Sequence, residues 1–150
     1  MLALACLCYV RGAAAMSALS FFVPGQPVAQ GRPRFTTWRV VEANRVKVYD
    51  PQKSVVWKDH VRRCAKEHAC VLREGPLAMT LRFIMHRPAN IKRGQRWHMK
   101  RPDVENLAKA VMDALAELVY EDDKQVVKLM ATKEYGKRPG VRVRVEEISE

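Results

Sequence analysis

From Leu77 to Met85 the side chains alternate in character, with Leu77, Met79, Leu81, Phe83 and Met85 on one face and Ala78, Thr80, Arg82 and Ile84 on the other. A period of two predicts a β-strand with one buried face. Shorter stretches repeat the pattern. Leu19–Val23 is apolar and is stopped by Pro24-Gly25, which predicts a strand and a turn. The next segment, QPVAQGRPRFTTW, is rich in proline and glycine and reads as an extended loop, whereas Arg45–Tyr49 alternates and predicts a second strand, paired as a hairpin with the segment before it. Gln125–Glu134 reads as a further strand. A hairpin through Tyr135–Gly140 then leads to Val141, Val143 and Val145, which alternate with Arg142 and Arg144 in a final strand.

Two stretches change period. Asp50-Pro51 is a suitable helix start, since aspartate accepts from free amides and proline tolerates the first helical position. From there Val56 or Trp57, Val61, Cys64 and Ala65 recur at helical spacing to about His68, opposite Lys53, Lys58, Arg62, Arg63 and Lys66. Asn106 to about Val119 forms the second helix, lined by Leu107, Val111, Ala114, Leu115 and Leu118. These elements predict an α+β fold, a single domain with a mixed sheet of four to five strands packed against two main helices.

The chain has 150 residues, which fits one domain. Residues 1–15 contain a short apolar run but no positive leader region, so they are expected to be a disordered or spurious extension ahead of a domain at 16–150. Met16 would serve as an alternative start. Four cysteines are too few for a secreted disulfide scaffold and fit a reducing cytoplasm. His60, Cys64, His68 and Cys70 could approach a zinc ion, but they lack a finger or ribbon frame and Cys64 falls in the apolar stripe.

Charge narrows the partners. Lys and Arg number 27 against 16 Asp and Glu, a formal charge of +11, which favours a polyanion such as nucleic acid. Arg32 and Arg34 stand beside Phe35 and Trp38, a combination that suits phosphate contact with base stacking and equally suits core anchoring. Between Gly75 and Pro102 there is no acid at all, and His86–Pro102 carries Arg87, Lys92, Arg93, Arg96, Lys100 and Arg101 with Trp97. Such a segment is expected to be a mobile basic loop that settles on a phosphate backbone. The plainer explanation is a solvated loop.

Carboxylates gather where that loop stops. Asp103 and Glu105 alternate at the start of the second helix, and Asp122 and Asp123 follow its end. Phosphodiester hydrolysis needs an activated water, charge neutralisation and a stabilised leaving oxygen, all of which carboxylate-held magnesium or manganese supplies. Three or four carboxylates brought together would repel each other without such a hard cation. Lys109, one turn past Glu105, is placed to contact the scissile phosphate or the leaving group. Helix capping explains one of the first pair equally well, and Lys109 could instead pair with Asp113.

Arg101-Pro-Asp-Val-Glu-Asn-Leu-Ala-Lys-Ala, Asp113-Ala-Leu and Asp122-Asp-Lys-Gln-Val-Val, together with Val23-Pro-Gly-Gln-Pro-Val-Ala-Gln-Gly-Arg-Pro-Arg, resemble the RusA family of Holliday-junction resolvases of bacteria and their prophages. The resemblance covers most of the chain after Met16. It implies a homodimeric, magnesium-dependent endodeoxyribonuclease that makes paired symmetric nicks in four-way junctions during recombination and repair. It also implies an acidic triad at Asp103, Glu105 and Asp123, and a helical lysine at Lys109. Glu105 departs from the family's usual aspartate and moves the carboxylate by roughly one bond length. The alternative is a non-catalytic module that binds branched DNA.

Overall fold

The fold, taken from a computed structural model, is described for residues 18–31, 34–40, 43–49, 51–68 and 71–149, with the backbone alone described over 34–49. The extension at 1–15 and the residues Arg32, Asp50 and Cys70 lie outside the described residues, as do the side chains of Arg34, Phe35 and Trp38.

Six strands and two helices follow in the order β1 (Leu19–Pro24), β2 (Arg34–Val40), β3 (Ala43–Tyr49), α1 (Gln52–His68), β4 (Leu77–His86), α2 (Val104–Leu115), β5 (Val126–Gly136) and β6 (Gly140–Glu147). Strands β1, β6, β4 and β5 form one mixed sheet in that spatial order, and β2 and β3 form a separate two-stranded ribbon. The expected α+β architecture is therefore present. Where the sequence predicts loop up to Trp38, the chain is already a strand from Arg34, because its partner β3 satisfies it in antiparallel register.

β4 lies at the centre of the packing. Its alternating Leu77, Met79, Leu81, Phe83 and Met85 are all buried and meet Trp57, Val61 and Ala65 of α1 and Leu107, Ala110, Val111 and Ala114 of α2 within one core. Of the two candidates in α1, Trp57 is the buried one and Val56 is exposed.

The predicted hairpin between the last two strands does not form. β5 runs parallel to β4, and β6 crosses over the end of β4 to insert antiparallel between β4 and β1. Two glycines permit the tight crossing. A Cβ at Gly136 would stand 2.3 Å from Ile84 Cγ2, and one at Gly140 would stand 2.3 Å from the Phe22 ring and 2.5 Å from the Val23 carbonyl oxygen. Alternation alone cannot tell a neighbouring strand from a strand one place farther away.

α2 is the crossover between parallel strands, so it runs back along the sheet from the C-terminal end of β4 to the N-terminal end of β5. It stops at Leu115, one turn earlier than the apolar pattern suggests. Ala116 leaves the helical region, Glu117 takes a positive φ of 64°, and Tyr120 folds under the helix end with its hydroxyl donating to the Met112 carbonyl at 2.7 Å. Burial, followed by the charges of Asp123 and Asp113, pushes the Tyr120 phenol well up, so it stays a donor.

Candidate metal and nucleic-acid site

Asp103 occupies the N-cap position of α2 in extended geometry, yet its carboxylate makes no capping hydrogen bond. An aspartate at that position normally accepts from an amide of the first turn. Here the carboxylate stays free, on an exposed residue, at the positive end of the helix dipole. Glu105 lies in the first helical turn and is also exposed, so the pair is cap and helix rather than the extended segment expected from the sequence. Arg101, Pro102, Asp103 and Asn106 line an open concavity of about 720 Å³. A second hollow of about 460 Å³, beside Trp57 and His60, is apolar and contains no carboxylate, so it does not suit phosphate chemistry.

Lys109 is exposed on α2, and no described residue pairs with it. The expected partner, Asp113, instead accepts from Lys58 of α1 at 3.3 Å. Lys109 thus keeps its ammonium available one turn beyond Glu105.

The other two carboxylates sit at the opposite end of α2. Asp122 caps a single 3₁₀ turn over Asp123–Gln125: its carboxylate accepts from the Lys124 amide at 3.0 Å while the Gln125 side chain bonds back to the Asp122 amide. The Lys124 amide bond, then a side-chain bond with Asp123, holds the Asp122 carboxyl below its ordinary value. Asp123 is exposed. Gln125 ties this turn to the Arg73 and Gly75 carbonyls, just before β4 begins. With α2 between them, Asp103 and Asp123 are separated by roughly 18 Å, taking 1.5 Å per residue over twelve residues. Among the described residues no three Asp, Glu, His or Cys side chains converge on a point that could hold a metal. The donor chemistry nonetheless fits a hard cation at Asp103 and Glu105, where two carboxylates have oxygens to offer.

Two residues that the sequence does not single out shape this end of the molecule. The Lys133 ammonium of β5 donates to the Lys100 carbonyl at 2.6 Å and the Pro102 carbonyl at 2.5 Å, fastening the two residues that flank Arg101, just ahead of Asp103. Burial lowers its pKa, and the nearby Asp103 carboxylate opposes that shift. Glu134, only 4% exposed, accepts from Arg82 and, at 2.8 Å, from Arg96. Burial alone would push its carboxyl up; the two arginines outweigh it and hold the group below its ordinary value.

These contacts make the basic loop a built structure rather than the mobile segment expected. Arg87 donates to the carbonyls of Lys92, Arg93 and Gln95. Trp97 forms an antiparallel bridge with Glu134, flanked by bonds from the Tyr135 amide to the Arg96 carbonyl and from the His98 amide to the Lys133 carbonyl. The arginines that looked like DNA contacts therefore divide. Arg87 and Arg96 have internal partners, Arg96 also lying 4.6 Å over the Trp97 ring, while Lys92, Arg93, Lys100 and Arg101 present exposed side chains with no described partner. Trp97 remains half exposed.

The zinc-like spacing on α1 has other employment. His60 Nε2 meets the Pro24 carbonyl at 2.8 Å and His68 Nδ1 meets the Cys64 carbonyl at 2.9 Å.

Comparison with known proteins gives two matches. The sequence model of a family described as endodeoxyribonuclease RusA matches residues 24–146. The uncharacterized protein YqaN of Bacillus subtilis (strain 168) is 34% identical over 145 residues, covering 89% of this chain and 99% of that protein.

Proposed function

The chain belongs to the RusA endodeoxyribonuclease family of Holliday-junction resolvases, and from that premise we propose that it is a cytoplasmic, magnesium-dependent enzyme that nicks four-way DNA junctions as a homodimer during recombination and repair, in a host or prophage setting. The observation that carries this reading is the uncapped Asp103 carboxylate, open beside Glu105 and bordered by the unpartnered cations Lys100, Arg101 and Lys109. A carboxylate left uncapped at a helix start gains nothing for folding and is suited to a ligand.

Asp103 and Glu105 would hold the metal, magnesium or in its place manganese, which when bound supplies an activated water and charge neutralisation. Lys109 lies on the same helix and contacts the phosphate, while Lys92, Arg93, Lys100 and Arg101 grip the backbone. Trp97 offers a ring for a base at the crossover. Asp123 is the third carboxylate. Since α2 separates it from Asp103 in its own chain, a second copy is what supplies it, and the two-fold symmetry of a junction calls for two such sites.

The test offers labelled synthetic four-way junction and linear duplex with magnesium. Junction-selective paired nicking is expected. Binding without any cleavage, unchanged by Glu105→Asp, would instead favour a non-catalytic branched-DNA module.

A further inference from the structure

The outer edge of β5 is bare where it is most apolar. β5 is the last strand of its sheet, and the Trp97 segment covers it only at Lys133–Tyr135. Over Val126–Ala131 the strand has no outer partner among the described residues, and Val127, Leu129 and Met130 are 63%, 46% and 54% exposed. Edges left open in monomers are usually guarded by charge, proline or a bulge that turns them away. Lys128 is the one charge here.

We infer that this edge is the dimer interface, with β5 of two copies pairing antiparallel about a two-fold axis near Leu129 to give a continuous eight-stranded sheet. The inference rests on the reading above and adds the surface that serves it.

Backbone direction supports the register. The Lys133 carbonyl and Tyr135 amide point outward, since they bond to His98 and Arg96. By the period of two, Ala131 and Leu129 point outward as well, so Leu129 can exchange both backbone bonds with its own copy. Leu129, Met130 and Val127 then bury one another across the axis. Pairing ends where the Trp97 segment begins, so the existing edge cover sets its length.

The same register explains the divided acids. Asp123 lies six residues before Leu129, and Lys133 and Tyr135 lie four and six residues after it. In an antiparallel pair, six before on one strand is level with six after on the other, so Asp123 comes alongside the Lys133–Tyr135 stretch of the partner subunit. Lys133 is the residue that fastens the Asp103 segment. The separation thus falls from roughly 18 Å within a chain to about 5–10 Å between chains, one strand spacing plus side-chain reach. A different protein's strand could occupy the edge, but it would leave Asp123 and Asp103 apart.

Sedimentation equilibrium of wild type and of Leu129→Asp, with circular dichroism to confirm folding, tests the surface. Wild type is expected at twice the mass of the chain. Leu129→Asp places two carboxylates at the axis and is expected to be a folded monomer that no longer cuts junctions. Should that variant fail to fold, Val127→Lys, at a more exposed position, is expected to weaken dimerisation at least tenfold. A monomeric wild type, or folded variants that stay dimeric, overturns the inference. The mass measurement needs no activity, so a dimer broken by these changes in a protein that never cuts DNA would sink the catalytic reading alone.

Discussion

An aspartate at an N-cap usually contributes about 0.5–2 kcal/mol by accepting from the first turn. Asp103 makes no such bond, so Asp103→Asn is expected to leave the melting temperature within about 1 °C of wild type while abolishing junction cleavage and retaining junction binding. Calorimetry and a gel-shift assay beside the cleavage assay check both halves; normal cutting would remove Asp103 from the site. Lys133 acts one step farther out. Lys133→Met frees the carbonyls of Lys100 and Pro102, loosening the lead into Asp103, and residues that orient metal ligands typically change metal affinity by about 10–100-fold. The magnesium concentration for half-maximal cutting should rise by that order, with the maximal rate largely recovered at high magnesium. An unchanged magnesium requirement would mean that Lys133 serves the fold alone. Asp103 and Glu105 were legible in the sequence because they stand together after an acid-free run. Lys133 was not, since its role depends on carbonyls 31 and 33 residues away that no pattern in β5 announces.

At the scale of the elements, the basic loop shows how one buried acid reorganises many cations. Counting charges from His86 to Pro102 predicts mutual repulsion and mobility, and nothing in that count reveals that Glu134 collects Arg82 and Arg96 from either side. Glu134→Ala removes both bonds. Because Arg82 and Arg96 are about half exposed and rehydrate, the loss should be modest, about 1–2 kcal/mol, read as a lower melting temperature together with a mobile Trp97 indole signal in NMR. The pH dependence has a fixed sign. The folded carboxyl titrates below the ordinary 4.5, so its contribution is complete above that value and is lost as pH falls through the lower folded one. The Trp97 signal should therefore broaden in acid before the core melts, and Glu134→Gln should show no such step. The strands and α1 were legible because burial on one face imprints period two or 3.6 on the sequence. Strand order was not, since the crossing of β6 depends on tolerances at Gly136 and Gly140 that local pattern does not carry.

For the whole molecule, the decisive question is whether Asp103 and Asp123 act within one chain or between two. The sequence places them twenty residues apart with a helix between, which is compatible with either arrangement until the parallel course of β4 and β5 is known. That course sends α2 the full length of the sheet and leaves the carboxylates at its two ends. Asp103→Asn and Asp123→Asn are each expected to be inactive, because each removes one acid from both sites of a dimer. Mixed in equal amounts and allowed to exchange, about half the dimers carry one copy of each variant. If acids are shared between chains, one site in such a dimer has lost both Asp103 and Asp123 and the other has kept both, so the mixture should nick one strand of a junction without the paired second cut. If each site draws its acids from a single chain, every site in the mixture lacks one acid and no nick appears. The nicked product, resolved on a denaturing gel against each variant alone, separates the two arrangements.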